Sequence, residues 1–333
     1  MTDSARIGVV VIGRNEGERL GRCLQSVMGQ ASHIVYVDSA STDGSVALAK
    51  SLGVEVVSLD LSIPFTAGRA RNAGFERLMN LDPDIAYVQF VDGDCEVEQA
   101  WLQQAAEYLQ QHLKIAVVCG GLRERNPNHS IYNLLCDIEW DTPVGEAPAC
   151  GGNAMVRTEA FLAVKGFRET LVAGEEPELG VRLREAGWRI WRLEHAMALH
   201  DAAMDRFAQW WKRTLRSGHA FAEGAWLHGA SAGHWMRETF SALVWGLAIP
   251  LLTLLITVLI SPWGLMLLLL YPMQVIRLQN SGPRSVEENW YWAFFLVLGK
   301  FAEAMGVLLF FWRNLTGSRS KLIEHRAPSG NGD

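Results

Sequence analysis

Charge is absent from one long stretch of this 333-residue chain: between Thr239 and Ile276 no residue carries any. At about 1.5 Å per helical residue, that run is far longer than one ~30 Å hydrocarbon crossing. Cysteine is scarce and scattered. Cys23, Cys95, Cys119, Cys136 and Cys150 form no CxxC pair, which argues against a zinc site or a disulfide framework and fits a reducing compartment. Cys119 and Cys136 lie among apolar residues and read as core. No excess of positive charge exists either: the formal net charge is −6, so no nucleic-acid partner is expected. The start, Met-Thr-Asp-Ser-Ala-Arg, shows no signal-peptide pattern. No internal repeat is visible, and no GxGxxG follows the first apolar run, which disfavours a dinucleotide-binding dehydrogenase.

What is present is alternation. Ile7–Ile12, His33–Asp38, Val54–Leu59, Ile85–Val91 and Ile115–Cys119 read as strands apolar on both faces. Helical stretches separate them: Glu16–Met28, Ser45–Leu52, Gly68–Met79 and Gln99–His112. This order predicts an α/β fold with a Rossmann-like, mostly parallel sheet covered on both sides. A second block adds a glycine-led strand over Cys150–Arg157, a short helix over Thr158–Val164 and a helix opening at Gly174-Glu175-Glu176-Pro177. A strand over Trp188–Leu193 and an aromatic, basic helix over Arg206–Phe221 follow. Proline and acids in a first helical turn suit that end of a helix.

In such sheets ligands bind beyond the carboxyl ends of the strands. Those ends hold Arg14-Asn15-Glu16, Asp38-Ser39 and Asp92-Gly93-Asp94. Residues i and i+2 of an extended chain project to one side, so Asp92 and Asp94 are expected to face one ligand together. Hard carboxylate oxygens suit Mg²⁺ or Mn²⁺ bridging a substrate diphosphate. The alternative is a solvated Asp-Gly turn.

Five segments in order resemble the inverting glycosyltransferases of family 2, over roughly residues 6–220. They are Val10–Glu16, Tyr36–Ser45 (Tyr-Val-Asp-Ser-Ala-Ser-Thr-Asp-Gly-Ser), Ala70-Arg71-Asn72-Ala73-Gly74, Asp92-Gly93-Asp94, and Gly174-Glu175-Glu176. The resemblance implies a GT-A nucleotide-sugar-binding fold with Mg²⁺ or Mn²⁺. It places Asp38 on the nucleobase, Arg71 against the donor, Asp92 near ribose and metal, and Asp94 as a direct metal ligand. Arg14 and Glu16 would border the nucleotide, although Glu16 could equally cap its own helix. His200 is offered as a third metal ligand, with a hydrogen-bonded loop histidine as the alternative. Glu176 aligns with the general base that inversion requires. The family usually has Glu-Asp here, so the choice between Glu175 and Glu176 stays open. Gln209-Trp210-Trp211-Lys212-Arg213 only partly matches the QxxRW segment of processive relatives. Arg213 or Arg216 is therefore expected on diphosphate or anionic lipid, with no implication of polymer synthesis. A nucleotidyltransferase is the competing enzyme class, but Gly13-Arg14-Asn15-Glu16-Gly17 is no triphosphate loop. A non-catalytic membrane scaffold is the other alternative.

Pro262 divides the uncharged run into a hairpin, about 240–260 and 263–278, and a further apolar helix covers about 290–312. Lys300 and Glu303 in that helix are spaced to pair, which suits a segment against protein or at a membrane interface. Trp290, Tyr291, Trp292 and Trp312 read as interfacial anchors. Arg277, Arg284, Arg313, Arg319, Lys321 and Arg326 place loop, tail and catalytic domain on the cytoplasmic side. The expected organisation is a catalytic domain over 1–230, transmembrane or interfacial helices over 231–315, and a basic tail over 316–333. The expectation is a multi-pass plasma-membrane protein moving sugar from a nucleotide-sugar donor to a lipid or glycan acceptor.

Overall fold

The computed structural model describes residues 6–60, 62–282 and 284–317; the tail cations Arg319, Lys321 and Arg326 lie outside these residues. The first half alternates as expected: β1 (Ile7–Gly13), α1 (Glu18–Val27), β2 (His33–Asp38), α2 (Ser45–Ser51), β3 (Glu55–Ser58), α3 (Ala67–Leu81) and β4 (Tyr87–Asp92). Then come β5 (Cys95–Val97), α4 (Trp101–Gln111), β6 (Ile115–Glu124), α5 (Ile131–Trp140), β7 (Gly145–Glu146), β8 (Ala154–Arg157) and α6 (Thr158–Ala163). The α/β part closes with α7 (Glu175–Glu185), β9 (Arg189–His200) and α8 (Phe207–Ala232).

The strands build one nine-stranded sheet in the order β3-β2-β1-β4-β8-β6-β9-β5, with β7 on β9. β3, β2, β1 and β4 are parallel, as are β6 and β9. β8 enters antiparallel between β4 and β6, and β5 and β7 are antiparallel to β9. The sheet is therefore mixed in its second half. Val9, Val10, Val11, Val35, Val37, Val88 and Phe90 are buried from both sides, which explains their unbroken apolar runs.

Two strands outrun their apolar patterns. β6 continues past Cys119 to Glu124, and β9 past Leu193 to His200, because the two pair with each other through shifted registers. Gly120 permits this: a Cβ there would stand 2.6 Å from both the His195 carbonyl oxygen and the Trp101 ring. His200, expected after a strand, is the last residue of one. β5 was not foreseen, being only three residues long.

The remaining helices are α9 (Met236–Leu243), α10 (Ile249–Leu259), α11 (Leu270–Gln279) and α12 (Val286–Thr316). A π-helical turn over Val244–Ala248 joins α9 to α10, and Pro262–Leu269 is 3₁₀-helical. The hairpin thus begins at Met236, and the last helix is longer at both ends than expected. Lys300 and Glu303 do pair, at 2.7 Å.

Gly74 lets α3 lie on the sheet. A Cβ there would collide with Val10 and stand 2.9 Å from Val37 Cγ2. Helix propensity favours alanine by about 1 kcal/mol, whereas overpacking a stiff core costs about 1–3 kcal/mol. Gly74→Ala is therefore expected to leave stability unchanged or lower it, by up to about 2 kcal/mol, in urea unfolding. A stabilised variant would show that α3 can move off β1 and β2.

Candidate active site

The carboxyl ends of β1, β2 and β4 open into a cavity of about 560 Å³. Its rim begins with the β1–α1 loop. Asn15, at φ 55°, accepts from Thr42 N–H at 2.7 Å, and Asp43 accepts from Gly17 N–H at 2.9 Å. The Ser-Thr-Asp turn after β2 thus holds the Arg14-Asn15-Glu16 loop. Arg14 lies over the Phe65 ring at 4.9 Å, and Glu16 pairs with Arg19 at 2.9 Å. Both Arg14 and Glu16 line the cavity.

At the centre is Arg71. Its side chain is 3% exposed, so it is not a solvated helix arginine. One guanidinium nitrogen donates to Asp92 at 2.9 Å, and another reaches Glu175 at 2.9 Å and Glu176 at 3.0 Å. Burial alone would depress its pKa, but Glu176, Asp92 and Glu175 together hold it well above the usual arginine value. Three carboxylates from two distant segments therefore share one cation. Gly152 completes this arrangement, because a Cβ there would run into Arg71 and stand 2.8 Å from Asp92 Oδ2 and 3.1 Å from Glu176 Oε1.

Burial and the neighbouring Glu175 charge push the Glu176 carboxyl up to about 7, against the pull of Arg71. Of the pair, Glu176 is the more open to the cavity, at 19% side-chain exposure against 5% for Glu175. The loop before them is fixed from below. Arg216 donates to the Val172 carbonyl at 3.1 Å, and the Trp235 ring covers Gly174, where a Cβ would stand 2.6 Å from it. Gly174 has φ 82°, a conformation that favours glycine.

Asp92 and Asp94 do not project together as an extended pair would. The chain turns at Gly93-Asp94 between β4 and β5, sending Asp92 to Arg71 and Asp94 to His200. Both still line the cavity. Asp94 Oδ2 lies 3.4 Å from His200 Nε2, and Glu124 Oε2 stands 3.8 Å behind His200 Nδ1. The Trp140 ring meets the imidazole edge-on at 4.4 Å. Asp94, Cys95 and His200 offer ligand atoms within 4.8 Å of one another. Burial, then the Asp94 and Asp92 charges, push the Cys95 thiol well up, which leaves a carboxylate and an imidazole as the donors for a hard cation.

Two expected residues are engaged by partners of their own. Asp38 is buried and does not line the cavity; its oxygens accept from Tyr36 O–H at 2.9 Å and Ser41 N–H at 3.0 Å. It closes the turn after β2. Arg213 reaches the cavity wall but forms a bidentate pair with Glu139 at 2.6 and 2.9 Å. Glu124, Trp140 and Gly152 were not singled out by sequence reasoning. Trp140 and Glu124 lie outside every recognisable segment, and only the glycine pair at 151–152 offered a signal.

Residues 8–161 match the model of glycosyl transferase family 2. This chain carries a family 2 glycosyltransferase domain. Glycosyltransferase AglE of Haloferax volcanii is 22% identical over 252 residues, covering 72% of this chain and 79% of that protein. The mannosyltransferase PcManGT from Pyrobaculum calidifontis, in complex with GDP-Man and Mn²⁺, superposes with a TM-score of 0.63 at 16% identity. That match covers 92% of this glycosyltransferase and 88% of that chain. GalNAc-T7 with UDP, GalNAc and Mn²⁺ gives 0.54 at 14% identity over 74% of this chain and 52% of its own. The GT-A fold of this glycosyltransferase is thereby shown.

The raised Glu176 pKa has a consequence for stability. A carboxyl whose folded pKa (about 7) exceeds its unfolded value favours the fold while protonated. That contribution is complete below the unfolded value and disappears as pH rises through about 7. Glu176→Gln, which mimics the protonated form, should unfold later than wild type at pH 8 by on the order of 1–3 kcal/mol. At pH 4 the two should match, both measured by thermal unfolding with chelator present. A lower stability of the variant at pH 8 would mean that Arg71 already satisfies all three acids.

Proposed function

We propose that this glycosyltransferase moves a sugar, with inversion, from a nucleotide-sugar donor to a lipid, lipid-linked or glycan acceptor at the cytoplasmic face of the plasma membrane. The observation that carries this reading is the convergence of Arg71, Asp92, Glu175 and Glu176 beside the Asp94–His200 pair in one cavity. A nucleotidyltransferase would need a triphosphate loop after β1, and the Asn15–Thr42 clasp occupies that place.

The donor set fits a divalent cation. Asp94 Oδ2 and His200 Nε2, 3.4 Å apart, are close enough for both to reach one ion, while the buried Nδ1 has no hydrogen-bond partner and Glu124 Oε2 stands 3.8 Å from it. Asp94 and His200, with Asp92 beside them, would hold Mg²⁺ or Mn²⁺. When bound, the ion supplies Lewis-acid stabilisation of the departing diphosphate. PcManGT and GalNAc-T7, with their Mn²⁺ complexes, support that assignment.

The protein's own groups do the rest. Arg71 fixes Asp92 toward the donor and Glu176 toward the acceptor. Glu176 takes the acceptor hydroxyl's proton on the face opposite the leaving group. Arg14 over Phe65 borders the nucleotide with Glu16, and Arg213 and Arg216 line the wall beside α8. The functional division falls at Gly233, the αL residue that ends α8, because α8 is continuous through residue 230. The described helices from Met236 onward form the membrane part, where two candidates are long and apolar enough to cross.

Asp94→Ala should abolish transfer from every nucleotide sugar tested with Mn²⁺ or Mg²⁺, while far-UV circular dichroism and unfolding stay near wild type. Full activity would remove the cation from the mechanism. Glu176→Gln should bind donor normally and lose on the order of 10²–10⁴ in kcat, by single-turnover assay with lipid extract as acceptor. Unchanged kcat would reduce Glu176 to a helix-terminus acid.

A further inference from the structure

Hydropathy marks two helices as able to cross a membrane, Met236–Leu259 and Val286–Thr316. Packing removes the second from consideration. α12 runs beside α8 for four turns: Trp210 meets Phe295 at 4.8 Å, His219 meets Phe310 at 5.5 Å, and Trp226 meets Phe310 at 6.5 Å. Between these, Gly218 touches the Glu303 backbone and Gly306 that of Leu215. Glycine at both close approaches makes the packing backbone to backbone.

α8 cannot accompany α12 into hydrocarbon. Over the same turns it carries Lys212, Arg213, Arg216 and Glu223, each costly at bilayer depth. It is also bound to the α/β part, through Arg213 to Glu139 and His228 to Glu178. Outside residues 295–310, α12 has nine residues before (286–294) and six after (311–316). At 1.5 Å each, neither piece crosses a ~30 Å core.

The opposite face of α12 is apolar and open. Tyr291, Phe294, Met305, Leu308, Trp312 and Leu315 are exposed at helical spacing. Tyr291 and Trp312 stand near its two ends, as aromatic residues do at a lipid–water boundary. Beside α12, the π-helical turn packs through Gly246 on Lys300, and Tyr271 stacks on Phe301 at 5.5 Å. What projects free of this layer is the hairpin tip, residues 249–269. Thr253 and Gly264 are its only buried residues, and Gly264 meets Ile256 and Thr257 of the other arm. α10 is about 16 Å long, and so is the 3₁₀ arm. One leaflet of a ~30 Å core is about 15 Å thick.

We propose that the chain is monotopic: α12 lies in the plane of the interface, and the hairpin 249–269 enters one leaflet without crossing. This replaces the multi-pass arrangement expected from hydropathy. It rests on the membrane reading above and not on the chemistry of the site. Arg284, which pairs with Asp137 and Asp141, keeps the α11–α12 loop on the side of the active site, as both ends of a single-leaflet hairpin require.

The test uses the full chain added to preformed vesicles of mixed anionic and zwitterionic phospholipid. The five native cysteines are buried, so Ile260→Cys at the tip and Leu113→Cys on the α/β part give clean labelling sites. An impermeant maleimide should label Leu113→Cys from outside. It should label Ile260→Cys from neither side until detergent is added. Labelling of Ile260→Cys by reagent trapped inside would mean a crossing and overturn the proposal; labelling from outside would mean no insertion and do the same. Trp263 supplies the independent readout. The fluorescence difference between wild type and Trp263→Phe should be quenched more by lipids brominated near the chain ends than near the headgroup. An unlabelled tip with no lipid quenching would place the hairpin against a second copy, which also contradicts the proposal.

Discussion

Everything at the active site depends on Arg71 being buried among acids. A guanidinium removed from water is tolerated only when carboxylates surround it in good geometry, and Asp92, Glu175 and Glu176 do so at 2.9–3.0 Å. The converse holds equally: without Arg71 three carboxylates would crowd one partly dry site. The cation therefore fixes where the end of β4 sits relative to the start of α7, two segments more than eighty residues apart. It also leaves the group short of full neutralisation, one cation against three acids. That imbalance suits a site awaiting a divalent ion and a proton.

The sheet explains why these groups meet. β1, β2 and β4 are parallel and in register, so their carboxyl ends open on one side. β8 then enters antiparallel beside β4, which brings Gly152 and Asn153 onto the same end. Asn153 accepts from the Asp92 N–H at 3.0 Å and holds the last residue of β4 in place. α8 contributes from outside the sheet: through Arg216 it holds the loop that leads to Glu175, while its far face receives α12. One helix thus links the layer proposed to lie on the membrane with the proposed base.

Much of this was legible in the sequence, for identifiable reasons. Buried parallel strands write themselves as unbroken valine and isoleucine runs, and polar residues at their ends stand out. Asp94 and His200 were legible as a pair only through the family resemblance, since 106 residues of chain separate them. An aspartate after a strand serves a turn or a ligand with the same local pattern, and Asp38 is engaged by Tyr36 and Ser41. Asp92 and Asp94 line one cavity across a turn at Gly93-Asp94 rather than along an extended strand. Nothing local marked Glu124 or Trp140, whose roles exist only once β6, α5 and β9 are assembled. α12 is long and apolar enough to satisfy a hydropathy test for a span, and its packing along α8 becomes visible only in the assembled fold.

The central claim is that Arg71 couples the acids of α7 to the sheet, and a double-mutant cycle between Arg71→Met and Glu175→Gln tests it most directly. Unfolding of the four proteins in urea at pH 8, with chelator present, gives the coupling energy. The account predicts about 2 kcal/mol or more, because loss of the cation strands a buried carboxylate that the second substitution relieves. Effects that add to within about 0.5 kcal/mol would contradict it.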